Sequence, residues 1–157
     1  MKKLKYLIII IGLGFATDTA YGQETVAERR EHLLTEDGIA LQGYDAVAYF
    51  TQNKAVKGSK KYRFDYKGIT YQFSSQSNLD AFKKDPAKYE PEYGGWCAYA
   101  IADRSFKMEP DPETFKIENG KLLLFYNGWF NNTKKTWNGD PTKYKGKADK
   151  NWNELVE

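Results

Sequence analysis

The stretch Tyr62-Arg63-Phe64-Asp65-Tyr66-Lys67-Gly68-Ile69-Thr70-Tyr71-Gln72-Phe73 decides the fold. Aromatic residues at 62, 64 and 66 alternate with charged ones, Lys67-Gly68 turns the chain, and Ile69, Tyr71 and Phe73 alternate again. Period-two alternation on both sides of a two-residue turn predicts a β-hairpin with one aromatic face buried. A second hairpin is predicted at Phe115 to Tyr126, where Phe115 and Ile117 lead through Asn119-Gly120 into Leu122, Leu123, Leu124 and Phe125. Asn-Gly between apolar runs supplies the positive φ angles a tight hairpin needs.

Between the hairpins, Ser77 with Asp80 three residues on reads as a capping box. Leu79, Phe82 and Lys83 continue at helical spacing until Asp85-Pro86 stops them. Upstream, Ile39 to Phe50 mixes apolar and small residues around Gly43, and Val47, Tyr49 and Phe50 suit a strand or an extended approach to the core. The polar loop after it ends at Gly58-Ser59. Glu24 to Leu34 holds strong helix formers with Val26, Arg30 and Leu33 roughly in phase. It reads as a short amphipathic helix ended by Thr35-Glu36-Asp37-Gly38. From Gly128 to Glu157 the chain is polar with isolated Trp129, Trp137, Tyr144, Trp152 and Leu155, which reads as turns and short helices pinned by aromatics. The expectation is an α+β fold: small antiparallel hairpins with short helices on one side.

The organisation expected is a signal peptide over 1–22, an N-terminal helix and linker over 23–38, and one domain over 39–157. Lys2, Lys3 and Lys5 precede the apolar run Leu7 to Ala16, and Ala20-Tyr21-Gly22 follows in small-x-small order. Ten apolar residues fall well short of the roughly twenty needed to cross a bilayer as a helix. Cleavage near Gly22, periplasmic or secreted localisation and no permanent membrane anchor are therefore expected. Losing the leader lowers the formal charge from +3 to +1, which gives no electrostatic argument for nucleic acid. One cysteine excludes an intramolecular disulfide, and aromatic residues, 16% of the chain, must supply much of the core.

Taken in order, Gly43-Tyr44-Asp45-x-Val47-Ala48-Tyr49-Phe50, the hairpin from Tyr66 to Phe73, Phe82, Asp85-Pro86, Lys88-Tyr89, Pro91, Tyr93-Gly94-Gly95 and Cys97-Ala98 resemble the YHS domain. They are most similar to its exported, stand-alone branch, including the tail pattern Asp149-x-x-Trp152, and the similarity runs from about Ile39 to Leu155. The resemblance implies a YHS-type α+β fold. It also brings the expectation of a metal held by cysteines, but the corresponding positions here read Ala48, Ser74 and Asn78. A soft-metal site needs several thiolate or imidazole ligands, so no metal-ligating residue is assigned and no cofactor is specified.

Among single residues, Cys97 stands in the unusual segment Glu90 to Asp103, beside Trp96 and the Gly94-Gly95 pair, whose glycines point to positive φ or a close backbone approach. Cysteine is among the most buried residue types, so a packing role competes with ligand or redox work. Asp45, beside Tyr44, suits a buried acceptor of backbone amides, with a catalytic acid as the competing reading. His32, the only histidine, lies in a charged helix and could meet Cys97 only if that helix packs over the glycine pair. Tyr93, Trp96 and Tyr99 read as core, or as walls of a small apolar pocket. Glu109, Asp111 and Glu113 could attract a hard cation, but without the Gly and terminal Glu of an EF-hand loop they read as a solvated acidic loop. With no acid, base and nucleophile grouped together, the leading reading is a non-enzymatic binding or accessory protein taking a small ligand or metal ion near Cys97, Trp96, Asp45 and Tyr44. A thiol-based redox factor or enzyme using Cys97, and a structural or protein-interaction module, remain as alternatives.

Overall fold

A computed structural model of the chain describes residues 24–157; the leader expected over 1–22 lies outside the described residues. Helix α1 (Val26–His32) opens with a capping box, Thr25 accepting from the Glu28 amide while the Glu28 carboxylate accepts from the Thr25 amide. It is followed by β1 (Thr35–Glu36), β2 (Ile39–Ala40), a turn over 41–43 and helix α2 (Ala46–Thr51). The first predicted hairpin is β3 (Ser59–Tyr66) and β4 (Ile69–Phe73). Helices α3 (Gln76–Lys84), α4 (Pro86–Tyr89) and α5 (Ala98–Arg104) come next, then the second hairpin, β5 (Asp111–Glu118) and β6 (Lys121–Phe125). A short hairpin, β7 (Asn127–Gly128) with β8 (Asn131–Asn132), leads into α6 (Thr133–Gly139) and α7 (Pro141–Val156).

The α+β class holds, and both hairpins form in the expected register, with Tyr66 opposite Ile69 and Glu118 opposite Lys121. Their turns, Lys67-Gly68 and Asn119-Gly120, have positive φ at both residues, the twist that matches flanking strands. The arrangement is less purely antiparallel than expected. Four strands run in the order β1-β2-β4-β3, and β2 lies parallel to β4.

Two cores meet at β6. One lies between the four-stranded sheet and helices α2, α3 and α4. There the Phe82 ring sits among Phe64, Tyr66, Tyr71, Phe73 and Tyr89 at centroid distances of 4.6–6.4 Å. The other packs Tyr93, Ile101, Trp137 and Ala148 from the segments between α4 and α7. Leu122 and Leu124 face the first core while Leu123 and Phe125 face the second, so alternation along β6 buries both of its faces.

Four local expectations are corrected. Val47, Tyr49 and Phe50 are helical, because the Asp45 side chain caps a turn that starts at Ala46. The cap of α3 is Ser75, which accepts from the Asn78 amide, in place of Ser77. On α1 the inward residue is Arg29, while Val26 is half-exposed. Arg29 pairs with Glu90, which also accepts from the Tyr71 hydroxyl at 2.7 Å, and its guanidinium lies 5.4 Å from the Tyr66 ring centre. The pair ties α1 to the turn that follows α4, while the buried Arg29 Nε has no hydrogen-bond partner among the described residues. Finally, Trp129 pins nothing, since it stands almost wholly in solvent.

Candidate functional site

Three consecutive residues with positive φ, Leu41, Gln42 and Gly43, swing the chain so that Tyr44 and Asp45 enter the first core just ahead of α2. Asp45 is 0% exposed and receives five hydrogen bonds. Oδ1 accepts from the amides of Val47 at 2.9 Å and Ala48 at 3.2 Å. Oδ2 accepts from the Ser74 amide at 2.7 Å, the Ser74 hydroxyl at 2.6 Å and the Asn78 side-chain amide at 2.7 Å. Residues 48, 74 and 78, the three positions where the YHS resemblance implies cysteines, therefore converge on one point, and the Asp45 carboxylate fills it.

The donor set tests whether a metal suits this point. Alanine offers no ligand atom, and Ser74 and Asn78 turn hydrogens toward Asp45. Each carboxylate oxygen is already surrounded by N–H and O–H donors whose partial positive charge opposes a cation. These residues do not fit a soft metal. Among the described residues no group of three or more His, Cys, Asp or Glu side chains is placed to hold a metal ion. The acidic stretch is tied up as well: Asp111 accepts from the Glu113 amide and the Thr114 hydroxyl, and Glu109 accepts from Gln42.

Cys97 lies elsewhere, in a separate hydrogen-bond network. It precedes α5, is 0% exposed, and its amide donates to Met108 at 2.9 Å. Its sulfur accepts from the Tyr126 amide at 3.2 Å and sits 3.4 Å from the Thr133 hydroxyl, which in turn donates to the Tyr126 carbonyl at 2.9 Å. The thiol thus ties α5 to the base of the β7–β8 hairpin. Of the four predicted ligand-binding residues, Asp45 and Cys97 are buried in different places. Tyr44 is half-buried, with its hydroxyl toward Glu113 at 3.4 Å and the Lys57 ammonium 4.0 Å from its ring centre. Burial and then the Glu113 charge raise its phenol above the ordinary range.

Trp96, also half-buried, donates from its indole to the His32 carbonyl at 2.7 Å. The close approach expected of the glycine pair is real. Gly94 has φ +61°, and a Cβ placed on it would lie 2.6 Å from the His32 carbonyl oxygen. Helix α1 does pack over the glycines, yet the His32 ring turns outward to Glu24 at 3.0 Å and away from any thiol. The aromatic trio is divided. Tyr93 lines a cleft of about 910 Å³ between α1, the turn before Gly95 and α7, together with Arg29, Trp152 and the carboxylates of Glu28, Glu90 and Glu92. Tyr99 packs edge-on against Tyr144 at 5.2 Å. The Tyr93 hydroxyl donates to Asp149 at 2.8 Å, and burial together with that carboxylate holds it protonated far above the usual phenol range. Sequence reasoning missed Arg29, because a charged residue on a charged helix gives no burial signal. It also missed the exposure of Trp129 and Phe130, although two adjacent aromatics in a polar stretch were the available clue.

Fold and site together define a small α+β scaffold whose convergent point is closed by a carboxylate. Residues 47–93 match the family model of the YHS domain, from α2 to the turn that carries Gly94. The resemblance read in the sequence holds over that stretch, which includes positions 48, 74 and 78 but stops short of Asp45 on one side and Cys97 on the other. No curated protein and no solved structure matches the chain.

Proposed function

We propose that the chain is a non-enzymatic binding or accessory protein working outside the cytoplasm, with its YHS unit serving as a rigid scaffold and not as a metal carrier. The observation that carries this reading is the saturated Asp45 carboxylate at the point where the family's cysteine positions converge. A buried polar group with every oxygen satisfied is a stabilising hub with no free lone pair for a substrate or ion. The leader's basic, apolar and small-residue order supports export. A small ligand would be received in the cleft beside α1, where Trp152 and Tyr93 offer aromatic walls and the carboxylates favour a cationic group. The thiol alternative is opposed by the burial of Cys97, since a reactive sulfur must be reachable.

The test is elemental analysis and native mass spectrometry of the protein isolated from its exported compartment, with N-terminal sequencing of the same sample. The expected result is a chain beginning at Gln23, free of stoichiometric metal. One equivalent of copper or zinc that disappears in a Ser74→Ala/Asn78→Ala variant would overturn the scaffold reading, and an intact leader would overturn export.

A further inference from the structure

Trp129 and Phe130 form the tip of the β7–β8 hairpin, 97% and 99% exposed. Nothing local asks for them there. A two-residue hairpin turn favours Asn, Gly or Asp with positive φ, and neither aromatic has it. The base of the hairpin is tied to the rest of the fold. The Cys97 sulfur and the Thr133 side chain both bond Tyr126 at the hairpin's base, and the Tyr126 ring lies so close to Gly128 that its hydroxyl would be 2.1 Å from a Cβ there. Covering two large, solvent-exposed apolar rings removes a substantial apolar area from water.

Beside this knob lies a hole. A cavity of about 400 Å³ is lined by Tyr99, Ala100, Phe106, Met108, Asn131 and Thr133, with the Asp103–Arg104 ion pair at its edge. Asn131, which lines the hole, follows Phe130 directly and is the strand partner of Gly128, so hole and knob are neighbours on the surface. Phe106, 55% exposed, leaves apolar surface facing outward there. A protruding aromatic pair adjoining an apolar hollow is the self-complementary pattern of a two-fold interface, in which each copy fills the other.

We propose that this face joins two copies of the chain, with Trp129 and Phe130 of each entering the cavity of the other. The occupant follows from the pairing. A lipid surface would cover the knob but leave the hollow unexplained, whereas a second copy covers both. Four such rings, at roughly 150–250 Å² each, together with the walls they cover, reach the roughly 1,200 Å² that a specific interface requires. This inference is independent of whether the cleft beside α1 holds a ligand.

Sedimentation equilibrium of the purified protein tests it, alongside Trp129→Ala/Phe130→Ala, which removes the knob, and Phe106→Asp, which spoils the hole at an exposed position. Circular dichroism checks that both variants remain folded. Wild type should associate to twice the chain mass, and each variant should weaken association at least about thirtyfold, the loss typical of a central aromatic anchor. Mixed together, the two variants should regain part of the dimer, because the intact knob of one meets the intact hole of the other. A wild-type chain that stays monomeric at high concentration would overturn the proposal. So would a dimer untouched by either variant, a mixture with no recovery, or binding of Trp129 to anionic phospholipid vesicles by a monomer.

Discussion

Replacing Asp45 should damage this protein more than any other single polar substitution in the first core. In Asp45→Ala the N-cap of α2 is lost, at about 1 kcal/mol. The Ser74 hydroxyl can rotate toward another acceptor, but the Ser74 amide and the Asn78 side chain are left facing an apolar methyl. Each stranded donor costs about 1–3 kcal/mol. The sum is about 3–7 kcal/mol, a large part of the roughly 5–15 kcal/mol that holds a domain of this kind folded, and it corresponds to a Tm lower by about 10–20 °C. Asp45→Asn should lose about half as much, since its oxygen can keep the Val47 and Ala48 amides while Asn78 turns its own oxygen toward the new amide. Urea unfolding followed by tryptophan fluorescence gives both values, with the slope against denaturant expected to stay unchanged. The hub also predicts non-additivity: on a Ser74→Ala/Asn78→Ala background, Asp45→Ala should lose about 1–2 kcal/mol less than on wild type. An Asp45→Ala variant within about 1 kcal/mol of wild type, or strict additivity, would refute the reasoning.

Cys97 should resist an aromatic disulfide reagent in the folded protein and react fully after denaturation, and rapid labelling of the native chain would contradict its burial. Gly94→Ala forces a Cβ against the His32 carbonyl at a left-handed position, so it should lose about 1–3 kcal/mol and release α1. Faster hydrogen exchange confined to residues 25–34 is the signature, and unchanged protection there would count against the docking described. At alkaline pH, Tyr49, Tyr71 and Tyr93 stay protonated in the fold while their unfolded counterparts ionise near pH 10.0, burial being the main cause in each. Stability is therefore fully present below about pH 10 and is lost as the pH climbs beyond it, toward the raised phenol values of the fold. Ultraviolet titration should show a group of tyrosines that ionises only together with unfolding, and a single smooth ionisation of an intact fold would refute this.

Both long hairpins were legible because alternation and turn chemistry act locally. Lys67-Gly68 and Asn119-Gly120 demand their turns whatever lies around them. Helix α2 was not legible in the same way. Ala46 to Thr51 is too short for periodicity to separate a helix from a strand, and the choice is made by Asp45, whose Oδ1 caps the first turn while Oδ2 is held by Ser74 and Asn78. That also limited the reading of the site. The absence of cysteines at 48, 74 and 78 could be seen in the chain, but what filled the space could not, because Asp45 is distant in sequence from two of its partners. The parallel pairing of β2 with β4 was hidden for a related reason, as a strand of two residues carries no pattern of its own. Cys97 was rightly suspected of burial from its residue type, yet its link to the hairpin base depends on residues 29 and 36 positions further on.

The docking of α1 also sets an order in time. Its contacts reach forward along the chain: Arg30 to the Gly68 carbonyl, Arg29 to Glu90, Leu34 to Gly94, and the His32 carbonyl to the Trp96 indole. A helix of seven residues has too little stability of its own to persist in water. As the ribosome makes the chain, α1 meets its first partner at Gly68 and its last at Trp96. Its docking is therefore complete only after both strands of the first long hairpin and helices α3 and α4 have been made.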